Sequence, residues 1–488
     1  MNIAVILEMA ASAAERAERT AACDERGRLT APRLLCLARQ AARRFHGRSA
    51  VLYLGTNHLA YPVALFGAAL AGVPFVPLNY RLSAGQLTDL TARHPESEVL
   101  RPDDLDALLA LEEENEPPPR TAPGDRDEPA VILYTSGTTA APKAALLRHR
   151  HLLSYVFNTQ EFGSADPSDA ALVAVPPYHV AGLMNLLSNL YSGRRIVYRS
   201  AFDAGDWLRA VRAEGVTHAM VVPTMLARIT AEVGEGTADT PTLRSLAYGG
   251  ARTPRPVIER ALRQFPDTGF VNAYGLTETS SSLAVLGPDD HRTAMSADDV
   301  TARARLGSVG RALPGVEIEI RHEDGTPLPT GETGLVHVRG EQISGEYGTR
   351  SALDPDGWFP THDRGCLDVE GYLFIEGRAD DTIIRAGENI APAEIEDVLL
   401  LYPGVREAAV LGVPDPEWGQ RIVAVLVGAG DPEDIRDFAR RHLRSSKTPD
   451  TVVFRPELPR TATGKLLRRT LQTELTPLAP TDTEATRA

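Results

Sequence analysis

Cysteine is nearly missing from this chain. Three occur in 488 residues, Cys23, Cys36 and Cys366, with no CxxC pair and no metal-like spacing. That argues against a disulfide framework and fits a reducing compartment. Long apolar runs are missing too. No stretch of about 18 apolar residues occurs, so no membrane span is predicted. The opening segment MNIAVILEMAAS carries Glu8 inside its apolar run and has no basic flank, so it reads as a helix rather than a signal peptide. Clustered positive charge is a third absence. The 51 Lys and Arg are scattered among 65 Asp and Glu, for a net charge of -14. A nucleic-acid footprint needs a concentrated positive face, so no nucleic-acid partner is expected. These absences leave a soluble, cytoplasmic protein as the expectation.

The length predicts two or three domains. Helical patterns at Ala31–Phe45 and Ala60–Ala71 flank a strand-like Ala50–Leu54, and Gly67 and Gly72 there read as packing residues. An acidic, Pro-rich connection covers Leu111–Pro129. Apolar runs follow at Ala130–Tyr134, Ala171–Val175, His218–Pro223, Ser245–Tyr248 and Gly269–Ala273. Between them lie helical patterns at Asp206–Glu214, Thr224–Val233 and Pro254–Gln264. Strands alternating with helices of this length predict an α/β fold with mostly parallel, covered sheets. From Leu306 the texture becomes β-rich (VEIEIR, GLVHVRG, GYLFIEG). From about Asp381 it becomes a small α+β module: helix Pro392–Leu401, EAAVLGV, RIVAVLVG, helix Pro432–Leu443 and TVVFRP. The last residues, 476–488, read as a disordered tail.

Four motifs carry chemistry. YTSGTTAAPKAALLRH follows a strand and places Thr135, Ser136, Thr138 and Thr139 around Gly137, with Lys143 after them. Hydroxyls, backbone amides and one ammonium in a turn suit a polyphosphate, although the Walker A spacing is absent. Alone, the motif also reads as a Ser/Thr-rich surface turn. VNAYGLTETS stands at the end of a strand, where ligands bind in open α/β sheets. It offers the Asn272 amide, the Thr277 hydroxyl and the Glu278 carboxylate, a natural partial ligand for Mg2+. A Thr-x-Glu helix cap is the plainer alternative. GWFPTHDRGCLDVEGYLFIEGRADD supplies Asp363 and Arg378, candidates for a sugar diol and a phosphate. LPRTATGKLLRR sets Lys465 on a Gly-preceded loop.

In this order, and from about Leu29 to Leu471, the four motifs resemble the superfamily of acyl-CoA synthetases, adenylation domains and beetle luciferases. That resemblance implies ATP-dependent activation of a carboxylic acid as an acyl-adenylate, then transfer of the acyl group to a thiol. It implies an N-terminal acyl- and ATP-binding domain, residues 1–379, and a mobile C-terminal domain, residues 380–475, hinged at Asp380. By the same resemblance Thr135–Lys143 hold the β- and γ-phosphates, and Gly249, Gly250 and Ala251 line the adenine. Asn272 lies near it, Tyr274 stacks on the ring beside Gly275, Thr277 meets the α-phosphate and Glu278 holds Mg2+. Asp363 grips the ribose, with Arg378 beside it. Lys465 bridges the attacking carboxylate and the α-phosphate. Catalysis is assigned to Lys465, Thr277 and Glu278.

PPYHVAGLMNLL matches the family's acyl tunnel. The resemblance assigns the acyl pocket to His179, Val180, Gly182, Leu183, Gly250 and Thr279, and the thiol tunnel to His179, Gly387, Glu388 and Asn389. The lining is apolar and shows no acidic anchor for an α-ammonium group, so the substrate class is a non-amino-acid carboxylic acid. Coenzyme A is the expected acceptor. A carrier protein's phosphopantetheine stays open, because both present the same thiol, and so does a homodimer. A degenerate nucleotide-binding paralogue is the third reading. Ala140, Ala144, His362 and Ala386 stand where the family usually carries Gly, which permits φ > 0 and close backbone approach.

Overall fold

The computed structural model describes residues 1–13, 17–111, 127–135, 142–385, 388–461, 464 and 466–475, with only the backbone of residue 389. Most of the Pro-rich connection, positions 136–141 of the first motif, Ala386, Gly387, Lys465 and the tail therefore lie outside the described residues. The chain forms two compact units, Met1–Ile318 with His337–Phe359, and Glu319–Val336 with Pro360–Ala488. Asp380 falls inside the second unit, in a 3-10 turn over Ala379–Asp381.

The first unit is built as its residues dictate. The Thr30 hydroxyl accepts from the Arg33 amide at 3.3 Å and Pro32 sits in the first turn, so Ala31–Phe45 starts as a capped helix. Its buried face, including Leu34, Ala38, Ala41 and Phe45, packs on the buried helix Ala60–Ala71. Gly67 permits that approach, since a Cβ there would meet Ala41 Cβ at 2.8 Å. The opening segment forms a helix, Ala4–Ser12.

Two sheets carry the rest of the unit. One runs from edge to edge as Arg311–Ala312, Ser281–Leu286, Gly269–Leu276, Ser245–Gly249, His218–Val221, Ala170–Val173, Arg195–Tyr198, Thr20–Asp24 and Gly27–Thr30. From Gly269–Leu276 through Thr20–Asp24 its neighbours are parallel, and the outer strands are antiparallel. The other runs Arg350–Ser351, Glu346–Tyr347, Lys143–Arg148, Pro129–Thr135, Phe75–Pro77, Val51–Tyr53 and Glu98–Leu100. The expected parallel, covered sheets are thus present, with antiparallel margins.

Several boundaries shift by a few residues, and two of the shifts bear on the site. The run His218–Pro223 ends as a strand at Val221, because Pro223 opens the helix Pro223–Val233, where its missing N–H is not needed. The strand expected over Gly269–Ala273 continues to Leu276, because Tyr274, Gly275 and Leu276 pair with Ala284, Ser282 and Ser281.

In the second unit the β-rich segment gives the antiparallel pair Phe359–Leu367 and Leu373–Arg378. The α+β module forms a hairpin of Val405–Asp415 and Gly419–Gly428, joined in parallel by Thr451–Phe454. Its strands alternate: Val410, Ile422, Ala424 and Leu426 face helices Pro392–Leu399 and Pro432–His442. Val423, Val425 and Val427 meet Leu471 and Leu475 of a helix, Arg468–Leu475, that the sequence pattern had not revealed. The three cysteines are free. No helix among the described residues is long and apolar enough to cross a membrane.

Candidate active site

In the first unit the strands that flank the first motif pair antiparallel. Thr135 and Lys143 are register partners where Pro129–Thr135 meets Lys143–Arg148. The strand pairing therefore closes the base of the loop and fixes its two ends. Ser136, Gly137, Thr138 and Thr139 lie outside the described residues. Ala144, expected as a departure from Gly, is an ordinary strand residue opposite Tyr134.

The second motif turns tightly. Gly275 allows it, since a Cβ there would fall 1.8 Å from the Ser281 carbonyl oxygen. Thr277–Thr279 form a 3-10 turn, and the Thr279 hydroxyl accepts from the Leu276 amide at 3.0 Å. Thr279 is fully buried, and its hydroxyl also lies within hydrogen-bonding distance of the Leu276 and Ser281 carbonyls. Its polar atom thus serves the turn. Glu278 is 8% exposed, and Tyr347 donates to its Oε1 at 2.5 Å. Among the described residues Glu278 has no ion-pair partner. A buried carboxylate held by a neutral phenol still lacks its counter-charge, which fits a hard cation. No cluster of three metal-ligating side chains exists among the described residues. One carboxylate of this kind suits Mg2+ carried by phosphates and water.

Gly249 ends the strand Ser245–Gly249 and Gly250 follows it. A Cβ on Gly249 would lie 2.1 Å from the Ala273 carbonyl oxygen, while Gly250 has φ +85° and a Cβ there would lie 4.0 Å from Val222 Cγ1. The loop through Ala251 therefore runs close to the strand that carries Asn272 and Tyr274. Asn272 donates to the Ser308 carbonyl at 3.1 Å, and Tyr274 is half-buried. His179 precedes the helix Val180–Ser192, with Gly182 and Leu183 buried in its first turn and Val180 half-buried. Burial pushes the His179 imidazole down to about 4, so the ring is neutral near pH 7. Its Nε2 is buried and has no hydrogen-bond partner among the described residues.

In the second unit Asp363 and Arg378 are register partners across two strands, with Arg378 Nη1 3.1 Å from Asp363 Oδ1. Arg378 also donates to the Thr361 carbonyl at 3.1 Å. His362 lies between buried Thr361 and Asp363, is itself exposed, and has φ +60°. Glu388 faces Arg385 across the short strand pair Ile383–Arg385 and Glu388–Ile390. Gly387 and the Asn389 side chain are outside the described residues.

The profile of the family described as AMP-binding enzyme matches residues 89–347, more than half of the chain. The chain belongs to the AMP-binding enzymes. The profile of the AMP-binding enzyme C-terminal domain matches residues 394–465. A feruloyl-CoA synthase of Amycolatopsis is 35% identical to this AMP-binding enzyme over 464 residues, covering 88% of this chain and 91% of that one. A fatty acid–[acyl-carrier-protein] ligase of Streptomyces coeruleorubidus is 34% identical over 457 residues, covering 86% of each. The solved o-succinylbenzoate-CoA synthetase of Bacillus subtilis, in complex with its acyl-adenylate intermediate, superposes with a TM-score of 0.82. It is 28% identical, with 96% of this chain and 97% of that chain covered.

The sequence reading had missed the segment 342–348 of this AMP-binding enzyme. Gln342 Nε2 donates to the Thr279 and Ser282 carbonyls at 3.0 and 2.8 Å. The Ser344 and Gly345 amides donate to the Glu278 carbonyl at 2.8 and 3.2 Å. The run EQISGEYG offers only a Gln and a Tyr between glycines as a signal, more than 60 residues from the turn they serve.

Proposed function

We propose that this AMP-binding enzyme activates an apolar, non-amino-acid carboxylic acid with ATP and Mg2+ as an acyl-adenylate, then transfers the acyl group to the thiol of coenzyme A. The observation that carries the reading is the buried carboxylate of Glu278, which has no ion-pair partner among the described residues. It stands one residue beyond Thr277 at the end of the strand Gly269–Leu276. Glu278 would hold a hard cation, which would supply the counter-charge that its carboxylate lacks among the described residues. When bound, Mg2+ neutralises developing charge on the phosphates. The chain's own residues orient the nucleotide and the acid. In the first unit these are Thr135, Lys143, Gly249–Ala251, Asn272, Tyr274 and Thr277. In the second unit they are Asp363 and Arg378.

A carboxylate is a weak nucleophile that the triphosphate repels, so a compact cation at the point of attack lowers the barrier. Lys465 takes that role in the first half-reaction. The thiol step has no need of it, which gives a module pivoting at Asp380 its purpose. The neutral His179, with Val180, Gly182 and Leu183, suits an uncharged acyl body. Self-association as a homodimer accompanies this reading as an open expectation.

The second reading, loading of a carrier-protein phosphopantetheine, draws on the likeness to the fatty acid–[acyl-carrier-protein] ligase. One experiment tests both. Pyrophosphate exchange is measured across aryl, alicyclic and aliphatic acids, and the best acid is then offered with coenzyme A and with a holo carrier protein under mass spectrometry. Exchange with an apolar acid and an acyl-CoA product is expected. No exchange with any acid overturns the activation chemistry, and a product seen only on the carrier protein moves the assignment to the second reading.

A further inference from the structure

Tyr347 joins two elements far apart in sequence. Its backbone continues the phosphate-loop sheet: Tyr347 pairs with Ala145, and the Gly348 amide donates to the Ala144 carbonyl at 3.2 Å. The Lys143 ammonium lies 5.6 Å from the centroid of the Tyr347 ring, within cation–π range. On the other side its phenol donates to Glu278 Oε1. The flanking residues pin the same turn through the Ser344 and Gly345 amides and the Gln342 side chain. One ring therefore touches both the lysine that leaves the phosphate loop and the carboxylate assigned to the metal.

We infer that Tyr347 is a positioning residue: its hydroxyl fixes the rotamer of Glu278, so that one carboxylate oxygen is occupied and the other is presented to the nucleotide-bound metal. The inference rests on the reading of Glu278 as that metal's ligand. Physically, a buried carboxylate with no other hydrogen-bonding side chain among the described residues can rotate about its own χ angles. A hydrogen bond to a charged group is among the stronger ones in proteins, and here it selects one orientation. The ring face also places the Lys143 ammonium near the negative end of the same assembly, which sets the spacing between the two groups.

The test is Tyr347→Phe in the full chain. It keeps the ring, the strand pairing and the lysine contact, and removes only the hydroxyl. Binding of Mn2+·ATP is read from the EPR signal of free Mn2+, and the Mg2+ dependence of pyrophosphate exchange is measured in parallel. About tenfold weaker Mn2+·ATP binding is expected, with kcat returning to within about twofold of wild type at saturating Mg2+. Unchanged binding in Tyr347→Phe, alongside weakened binding in Glu278→Gln, overturns the inference and leaves the reading of Glu278 standing. Unchanged binding in both removes that reading as well. Arg148→Met breaks the bidentate pair with Glu346 on the same strand and leaves the phenol alone. If it weakens binding as much as Tyr347→Phe, or if excess Mg2+ fails to restore kcat in Tyr347→Phe, the residue only holds the fold and the inference falls.

Discussion

Asp363 and Arg378 face each other across two antiparallel strands, and their side chains form an ion pair at 3.1 Å with the carboxylate 5% exposed. The pairing is made by strand register, since Asp363 and Arg378 are 15 residues apart in sequence and meet only because Phe359–Leu367 folds back on Leu373–Arg378. It holds the acid expected to grip a ribose in one orientation, and leaves Arg378 half-buried beside it.

The residue just before Asp363 is under strain. His362 has φ +60°, a left-handed conformation that costs a residue with a Cβ on the order of 1 kcal/mol. Gly meets no such penalty. His362→Gly is therefore expected to raise the thermal midpoint, with kcat for adenylation equal or higher and KM for ATP equal or lower. The exposed ring, flanked by buried Thr361 and Asp363, supports that direction. A loss of more than about tenfold in pyrophosphate exchange, equivalent to about 1.4 kcal/mol, shows instead that the imidazole has been recruited.

Lys465→Ala is expected to abolish adenylate formation while sparing thioester formation from a supplied acyl-adenylate, because the role proposed for the lysine is to neutralise charge only during attack on the α-phosphate. Single-turnover assays of the two half-reactions separate the outcomes. Equal loss in both contradicts the assignment of Lys465 to the first step.

Asp380 stands in a short 3-10 turn over Ala379–Asp381, and such turns take φ of about -50 to -70°, a range that includes the value of about -65° that proline imposes. Asp380→Pro is therefore tolerated by the turn and opposes rotation at that residue. Adenylation is expected to survive and thioester formation to collapse. Thioester formation at the wild-type rate places the pivot elsewhere.

Acid stability follows from a buried histidine. His149 is 3% exposed, its Nδ1 accepts from the Ile3 amide at 3.2 Å, and burial, aided by the chain's N-terminal charge, pushes its pKa down to about 4. The unfolded chain, with an ordinary imidazole near 6.5, binds a proton that the folded chain refuses between about pH 6.5 and 4. Stability therefore falls as pH falls through that window, by up to about 1.4 kcal/mol per pH unit for this one group. His149→Gln is expected to flatten the pH dependence of urea unfolding by about one proton between pH 4.5 and 6.5. An unchanged slope means that other groups dominate the acid transition.

Much of this protein was legible in its sequence because local chemistry decided it. Ala31–Phe45 and Ala60–Ala71 formed as expected, since cap, apolar spacing and terminal Gly72 all lie within the helices or beside them. The motifs around Lys143, Thr277 and Asp363 also announced themselves, because short runs of hydroxyls, glycines and charges carry their meaning in order and spacing. Tertiary structure decided the rest. The extension of the strand to Leu276, the positive φ of His362 and the hydrogen bond from Tyr347 to Glu278 depend on pairings between segments distant in the chain. Those pairings are set by sheet register and by the burial of a charge that needs a partner, and no local pattern encodes which distant side chain will arrive to meet it.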